Sequence, residues 1–119
     1  MATSRTDKVN SLLQQEVGKI ILHDFAFSPE ILVTVTRVET TGNLIEAKVF
    51  ISVYPEEKVG VILNALRKSI YDVQYKINRA LRMRPIPKII FVRETEVSKA
   101  GRVEELLAQV SLEDNIEKT

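Results

Sequence analysis

Residues 44–54 read Leu-Ile-Glu-Ala-Lys-Val-Phe-Ile-Ser-Val-Tyr, with apolar side chains on every second position at Ile45, Ala47, Val49, Ile51 and Val53. Successive side chains of a strand point to opposite faces. The alternation therefore predicts a strand packed on one side, with Glu46, Lys48 and Ser52 on a side at least partly wet. Just upstream, Ile31 to Glu39 is rich in Val, Ile and Thr and predicts a second strand. Thr40-Thr41-Gly42-Asn43 between them is a turn sequence, so the pair is an antiparallel hairpin.

The pattern then changes period. Pro55 suits the first position of a helix, and Glu56 and Glu57 suit the positive end of its dipole. Val59, Ile62, Leu63, Leu66, Ile70, Val73, Ile77 and Leu81 trace one apolar face of a long helix. Arg84-Pro85-Ile86-Pro87 ends it, because two prolines in three residues cannot continue a helix. Lys88 to Arg93 predicts a short third strand. Before the hairpin, Val9, Leu12, Leu13, Val17, Ile20 and Ile21 recur at helical spacing. Ser4 or Thr6 is the candidate cap of that helix, and Ser28-Pro29 marks the loop after it. Beyond the third strand, Ser98 is placed to cap a last helix in which Val103, Leu106, Leu107 and Val110 share a face. The expected architecture is α+β: helix, strand, strand, long helix, strand, helix. It forms a two-layer sandwich with helices on one face of a three-stranded mixed sheet. Residues 1–112 form the domain, and residues 113–119 form an acidic tail expected to fray.

A chain of 119 residues suits a single domain. It contains no cysteine, which excludes disulfides, thiolate catalysis and Cys-based zinc sites. His23 is the only histidine, placed near a helix end where a donor suits the exposed carbonyls. The four glycines, at 18, 42, 60 and 101, form no phosphate-binding loop. Glu56-Glu57 and Glu104-Glu105 read as helix-end or solvent-facing charges. No enzymatic activity, cofactor, metal or small-molecule substrate is expected. No apolar run reaches the ~18 residues of a membrane span, and residues 1–10 lack the apolar core of a signal peptide. A cytoplasmic, membrane-free monomer is expected.

The net charge of +1 conceals a strong asymmetry. Residues 1–59 balance at −2, residues 60–102 at +7, and residues 103–119 at −4. Within the basic middle, Arg67, Lys68, Lys76, Arg79, Arg82, Arg84 and Lys88 accompany the long helix and the loop after it. Those on the helix follow a phase different from the apolar stripe, so they form a ridge on a surface anchored from behind. Such a ridge suits phosphate neutralisation, and arginine can also stack on bases. A solvated, functionless Lys/Arg face is the competing reading. Tyr71 and Tyr75 lie in the same helix, where tyrosines either stack on splayed bases or cover core edges.

Several of these pieces, in this order, resemble the ribosome-binding factor A family of bacterial small-subunit maturation factors. They are the first helix, Val33-Thr34-Val35-Thr36, Ala47 to Val53, and Arg79-Ala80-Leu81-Arg82-Met83-Arg84-Pro85-Ile86-Pro87-Lys88-Ile89. Gly101-Arg102-Val103 with Leu106-Leu107 completes the series. The resemblance spans about residues 5 to 110. It implies a type II KH-like fold that binds the small (30S) subunit and its 16S rRNA. It also implies assistance in late rRNA processing, a role in cold growth, and release before translation. A KH-like RNA-binding module unconnected with the ribosome, or a protein-interaction domain of the same fold class, are the alternatives.

Two motifs differ from pattern. An ordinary KH module clamps nucleotide backbone with a Gly-x-x-Gly loop, which this chain lacks. The family kinks its long helix at Ala-x-Gly, where this chain reads Ser69-Ile70-Tyr71, and Glu94 stands where the family has an aspartate. An unbroken helix over residues 57–82 would run about 39 Å at 1.5 Å per residue, too long for so small a sheet. An interruption near Ser69, milder than the family's, is therefore expected.

Overall fold

The computed structural model describes residues 4–95. Helix α1 (Ser4–Asp24) leads through a loop to strand β1 (Leu32–Thr40) and strand β2 (Glu46–Tyr54). A 3-10 turn (Glu56–Lys58) precedes α2 (Val59–Lys68), α3 (Ile70–Ala80) and strand β3 (Lys88–Arg93). The expected last helix and the acidic tail, and with them the boundary at residue 112, lie outside the described residues. Among the described residues, no helix is long and apolar enough to cross a membrane.

The sheet order is β1-β2-β3, with β1 antiparallel and β3 parallel to β2, so the sheet is mixed as expected. Its core face carries Ala47, Val49, Ile51 and Val53 from the central strand, each 6% exposed or less, with Ile89 and Phe91 beside them. Against this face α1 presents Leu13 and Val17, α2 presents Ile62 and Leu66, and α3 presents Val73 and Ile77. Three details differ from the sequence reading. Ile45 stands before the strand and is 62% exposed, whereas Leu44 takes a positive φ of 60° and buries its side chain in the core. Pro55 precedes a 3-10 turn rather than opening the α-helix itself. Thr6 is buried inside α1, so it is not the cap.

The opposite sheet face is not simply wet. A bulge between Val35 and Arg37 inserts Thr36 into β1, so that Val35 and Val38 both reach the core. Arg37 then lies over the Phe50 ring, 3.6 Å from its centroid, and that residue is 8% exposed. Glu94 accepts hydrogen bonds from Arg37 Nε at 3.0 Å and Arg37 Nη2 at 3.1 Å, and from the Thr36 hydroxyl at 2.6 Å. Arg37 Nη1 also contacts Glu39. The departure at Glu94 is thus a buried carboxylate that ties the end of β3 to β1 across the central strand.

The long helix is interrupted where expected. Ser69 leaves helical geometry at φ −96° and ψ 14°, with its amide donating back to the Leu66 carbonyl at 3.2 Å. Those dihedrals belong to the bridge region, which any L-residue reaches, so the break needs no glycine. Two short helices, each amphipathic, can then lie along the sheet where one rod would overrun it.

Candidate nucleic-acid interface

Among the described residues, strand β3 is an edge strand, and its backbone groups define a groove. The amides of Lys88 and Glu94 donate to the Ile45 and Ile51 carbonyls of β2 and the segment before it, at 2.9 Å each. The ladder therefore uses the even-numbered residues of β3. The odd-numbered ones turn N–H and C=O groups toward the open edge. Two of those groups are capped by helix side chains. Gln74 accepts from the Ile89 amide at 2.8 Å, and Arg67 donates to the Phe91 carbonyl from Nε at 3.2 Å and Nη2 at 3.0 Å. The Ile89 carbonyl and the Phe91 amide have no such cap among the described residues. Between the helix break and this edge lies a shallow groove of about 230 Å³ lined by Arg67, Ile70, Ile89, Ile90 and Phe91. A cation on its wall, apolar surface on its floor and edge groups uncapped among the described residues are the features a nucleotide strand can use.

The seven basic residues predicted from sequence separate into distinct states. Arg67 is anchored on Phe91 but keeps its charge and its remaining donors at the groove wall. Lys76 is paired with Asp24 at 2.6 Å and with Asp72 at 3.1 Å. Those hydrogen bonds, Asp24 first and then Asp72, raise its pKa above the usual lysine value. Its charge is largely neutralised locally, which removes it from an anion-binding ridge. Arg84 donates to the carbonyls of Leu81 at 3.3 Å and Met83 at 2.6 Å, folding onto its own turn. Arg79 donates to the Tyr75 hydroxyl at 2.9 Å with its guanidinium 5.6 Å from the ring centroid. Lys68, Arg82 and Lys88 are exposed and have no ion pair or hydrogen bond through their side chains among the described residues. Lys68 stands at the helix break beside Arg67. Arg82, Arg84 and Lys88 occupy the connection from α3 to the start of the open strand.

Two groups escaped the sequence reading. Gln74 bonds both the Pro87 carbonyl, at 3.2 Å, and the Ile89 amide, clamping α3 to the start of β3. Nothing in a lone helical Gln signals that role. The open edge groups of Ile89 and Phe91 belong to the backbone and leave no trace in residue type. Tyr71 and Tyr75, for their part, do not cover core edges: they are 89% and 57% exposed. Among the described residues, no cluster of His, Cys, Asp or Glu is arranged to hold a metal. A larger cleft of about 620 Å³ runs between α1 and β1, lined by Gly18, Leu22, Phe25, Phe27 and Val33 among others. Among the described residues, its walls carry no basic side chain.

The chain is 36% identical over 116 residues to the ribosome-binding factor A of Protochlamydia amoebophila, covering 95% of this chain and 88% of that protein. The crystal structure of ribosome-binding factor A from Thermus thermophilus superposes with a TM-score of 0.61 at 21% identity, over 74% of this chain and 93% of that one. A second Thermus thermophilus ribosome-binding factor A, a homology model fitted into the cryo-EM map of its complex with the 30S subunit, gives 0.58 at 23% identity, over 70% and 88%. The family model for ribosome-binding factor A matches residues 5–107, from the first helix past the open strand and its basic approach. The chain belongs to the ribosome-binding factor A family.

Proposed function

We propose that this protein binds the small ribosomal subunit through its 16S rRNA and assists the late processing and maturation of that subunit. The observation that carries the reading is the groove between the Ser69 break and the open edge of β3. Arg67 stands on its wall, and Lys68, Arg79, Arg82, Arg84 and Lys88 have no ion pair among the described residues. The complex with the 30S subunit described for the Thermus relative supports the same partner. The interface comprises Arg67, Lys68, Arg79, Arg82, Arg84 and Lys88, with Lys76 held back by its two aspartates. No step of bond making is involved. The mechanism is occupancy: the domain binds one arrangement of an immature site more tightly than others, raises its population, and leaves when maturation removes that preference.

The test is a titration of purified immature and mature small subunits over a salt series. Each phosphate neutralised on a single strand contributes a log–log slope of about −0.7, so four engaged cations give a slope near −3. Tighter binding to immature subunits with a slope of that order supports the reading. Equal affinity for both subunits, or an affinity indifferent to salt, refutes it.

A further inference from the structure

We propose that Tyr71 and Tyr75 form a stacking platform for unpaired nucleobases, so that the segment bound along α3 is single-stranded RNA rather than duplex. This rests on the RNA-binding reading above and adds the class of ligand.

The two tyrosines lie four residues apart in α3, on the face opposite Val73 and Ile77, which are 1% and 0% exposed. At 1.5 Å rise per residue their Cα atoms are about 6 Å apart along the helix axis, a separation that suits two splayed, successive bases. A tyrosine ring usually contributes by burying its large apolar surface. Here Tyr71 is 89% exposed and Tyr75 is 57% exposed, so neither is needed to close the core. The only ring-on-ring contact among the described residues is Phe25 with Phe27, far away in sequence, so neither tyrosine is already stacked on another ring. The platform is also oriented and charged. Arg79, a further turn along the same stripe, donates to the Tyr75 hydroxyl at 2.9 Å and keeps its guanidinium 5.6 Å from that ring. This steadies the ring and sets a cation where the phosphate linked to a stacked base would lie. At the other end, Tyr71 lies two residues past the Ser69 break and next in sequence to the groove residue Ile70. A strand leaving the groove therefore meets the rings in sequence: groove, Tyr71, Tyr75, Arg79. A duplex presents no base faces to such rings.

The experiment compares wild type, Tyr71→Ala/Tyr75→Ala and Tyr71→Phe/Tyr75→Phe in three binding series. The targets are purified immature small subunits, a single-stranded RNA of roughly 12 nucleotides, and the same RNA annealed to its complement. Stacking on an aromatic side chain is sequence-tolerant and is lost on truncation to Ala. The Ala pair should therefore bind subunits and single strand at least about tenfold more weakly. The Phe pair, which keeps both rings, should bind within about twofold of wild type. The salt slope should be the same for all three proteins, because no charge has changed, and duplex binding should not respond. The chain has three tyrosines and no tryptophan, so single-strand binding should also quench tyrosine emission in wild type. The Ala pair should lose most of that quench. Unweakened binding by the Ala pair, with the wild-type salt slope, overturns the stacking platform and leaves the RNA-binding reading standing. Failure of wild type to bind subunits with any salt dependence overturns both.

Discussion

Glu94→Gln isolates the buried pair behind the sheet. The Glu94 side chain is 1% exposed and that of Arg37 is 14% exposed, so the charges sit largely away from water. Removing the carboxylate charge takes from the guanidinium its buried partner and leaves it the more exposed Glu39 as an ion pair. Breaking a buried pair from one side costs about 3–5 kcal/mol, and the residual exposure of Arg37 places this case near 3. For a domain of this size that is a melting temperature lower by roughly 12 °C, at about 4 °C per kcal/mol. Arg37→Met takes the guanidinium away from the more deeply buried Glu94 and also removes the cation over Phe50, so it should cost about 4 kcal/mol or more. Replacing both, as Arg37→Met/Glu94→Leu, leaves no orphan charge and restores apolar cover over the Phe50 ring. That double variant should lie within about 2 kcal/mol of wild type, less destabilised than either single change. Urea denaturation followed by circular dichroism reads all four proteins. A double variant less stable than both single ones would show that Glu94 and Arg37 do not act as a buried pair.

Arg79→Ala/Arg82→Ala should reduce the salt slope of subunit binding by about 1.4, two single-strand phosphates' worth. It should shift the melting temperature little, since exposed charges contribute little to stability; a salt series alongside calorimetry checks both. Arg67→Ala removes a charged donor from the Phe91 carbonyl and should cost about 1.5–3 kcal/mol of stability, whereas Lys68→Ala should stay within about 0.5 kcal/mol while weakening binding. The same denaturation and binding assays separate the two neighbours. The raised Lys76 pKa has a definite sign: its pairing with Asp24 and Asp72 contributes stability in full below the ordinary lysine value near 10.4 and loses it as pH rises through the higher folded value. Wild type should therefore lose more stability than Lys76→Met between about pH 9 and pH 12, as followed by thermal melts.

What the sequence determined by itself is the repeating part of the fold. Alternation over residues 47–53 and the apolar stripes through Val59–Leu66 and Val73–Ile77 are set by the geometry of single elements, so they can be read locally. The double proline at 85 and 87 and the hairpin turn at 40–43 mark boundaries for the same reason. The breakpoint at Ser69 was legible as a place because the family motif falls there and a single rod would be too long. Its geometry was not, since the bridge-region dihedrals of a serine carry no residue signature. Tertiary structure alone decided which cations remain available. Arg67 and Lys68 are adjacent in sequence, yet one is anchored on a carbonyl 24 residues away and the other is not. Lys76 meets Asp24 across 52 residues, and Arg37 meets Glu94 across 57. Phe50, which alternation assigns to the wet face, is buried because a bulge in a neighbouring strand aims an arginine over it. Period follows from bonds along the chain, whereas the partner of a charge depends on how distant segments come together in the folded chain.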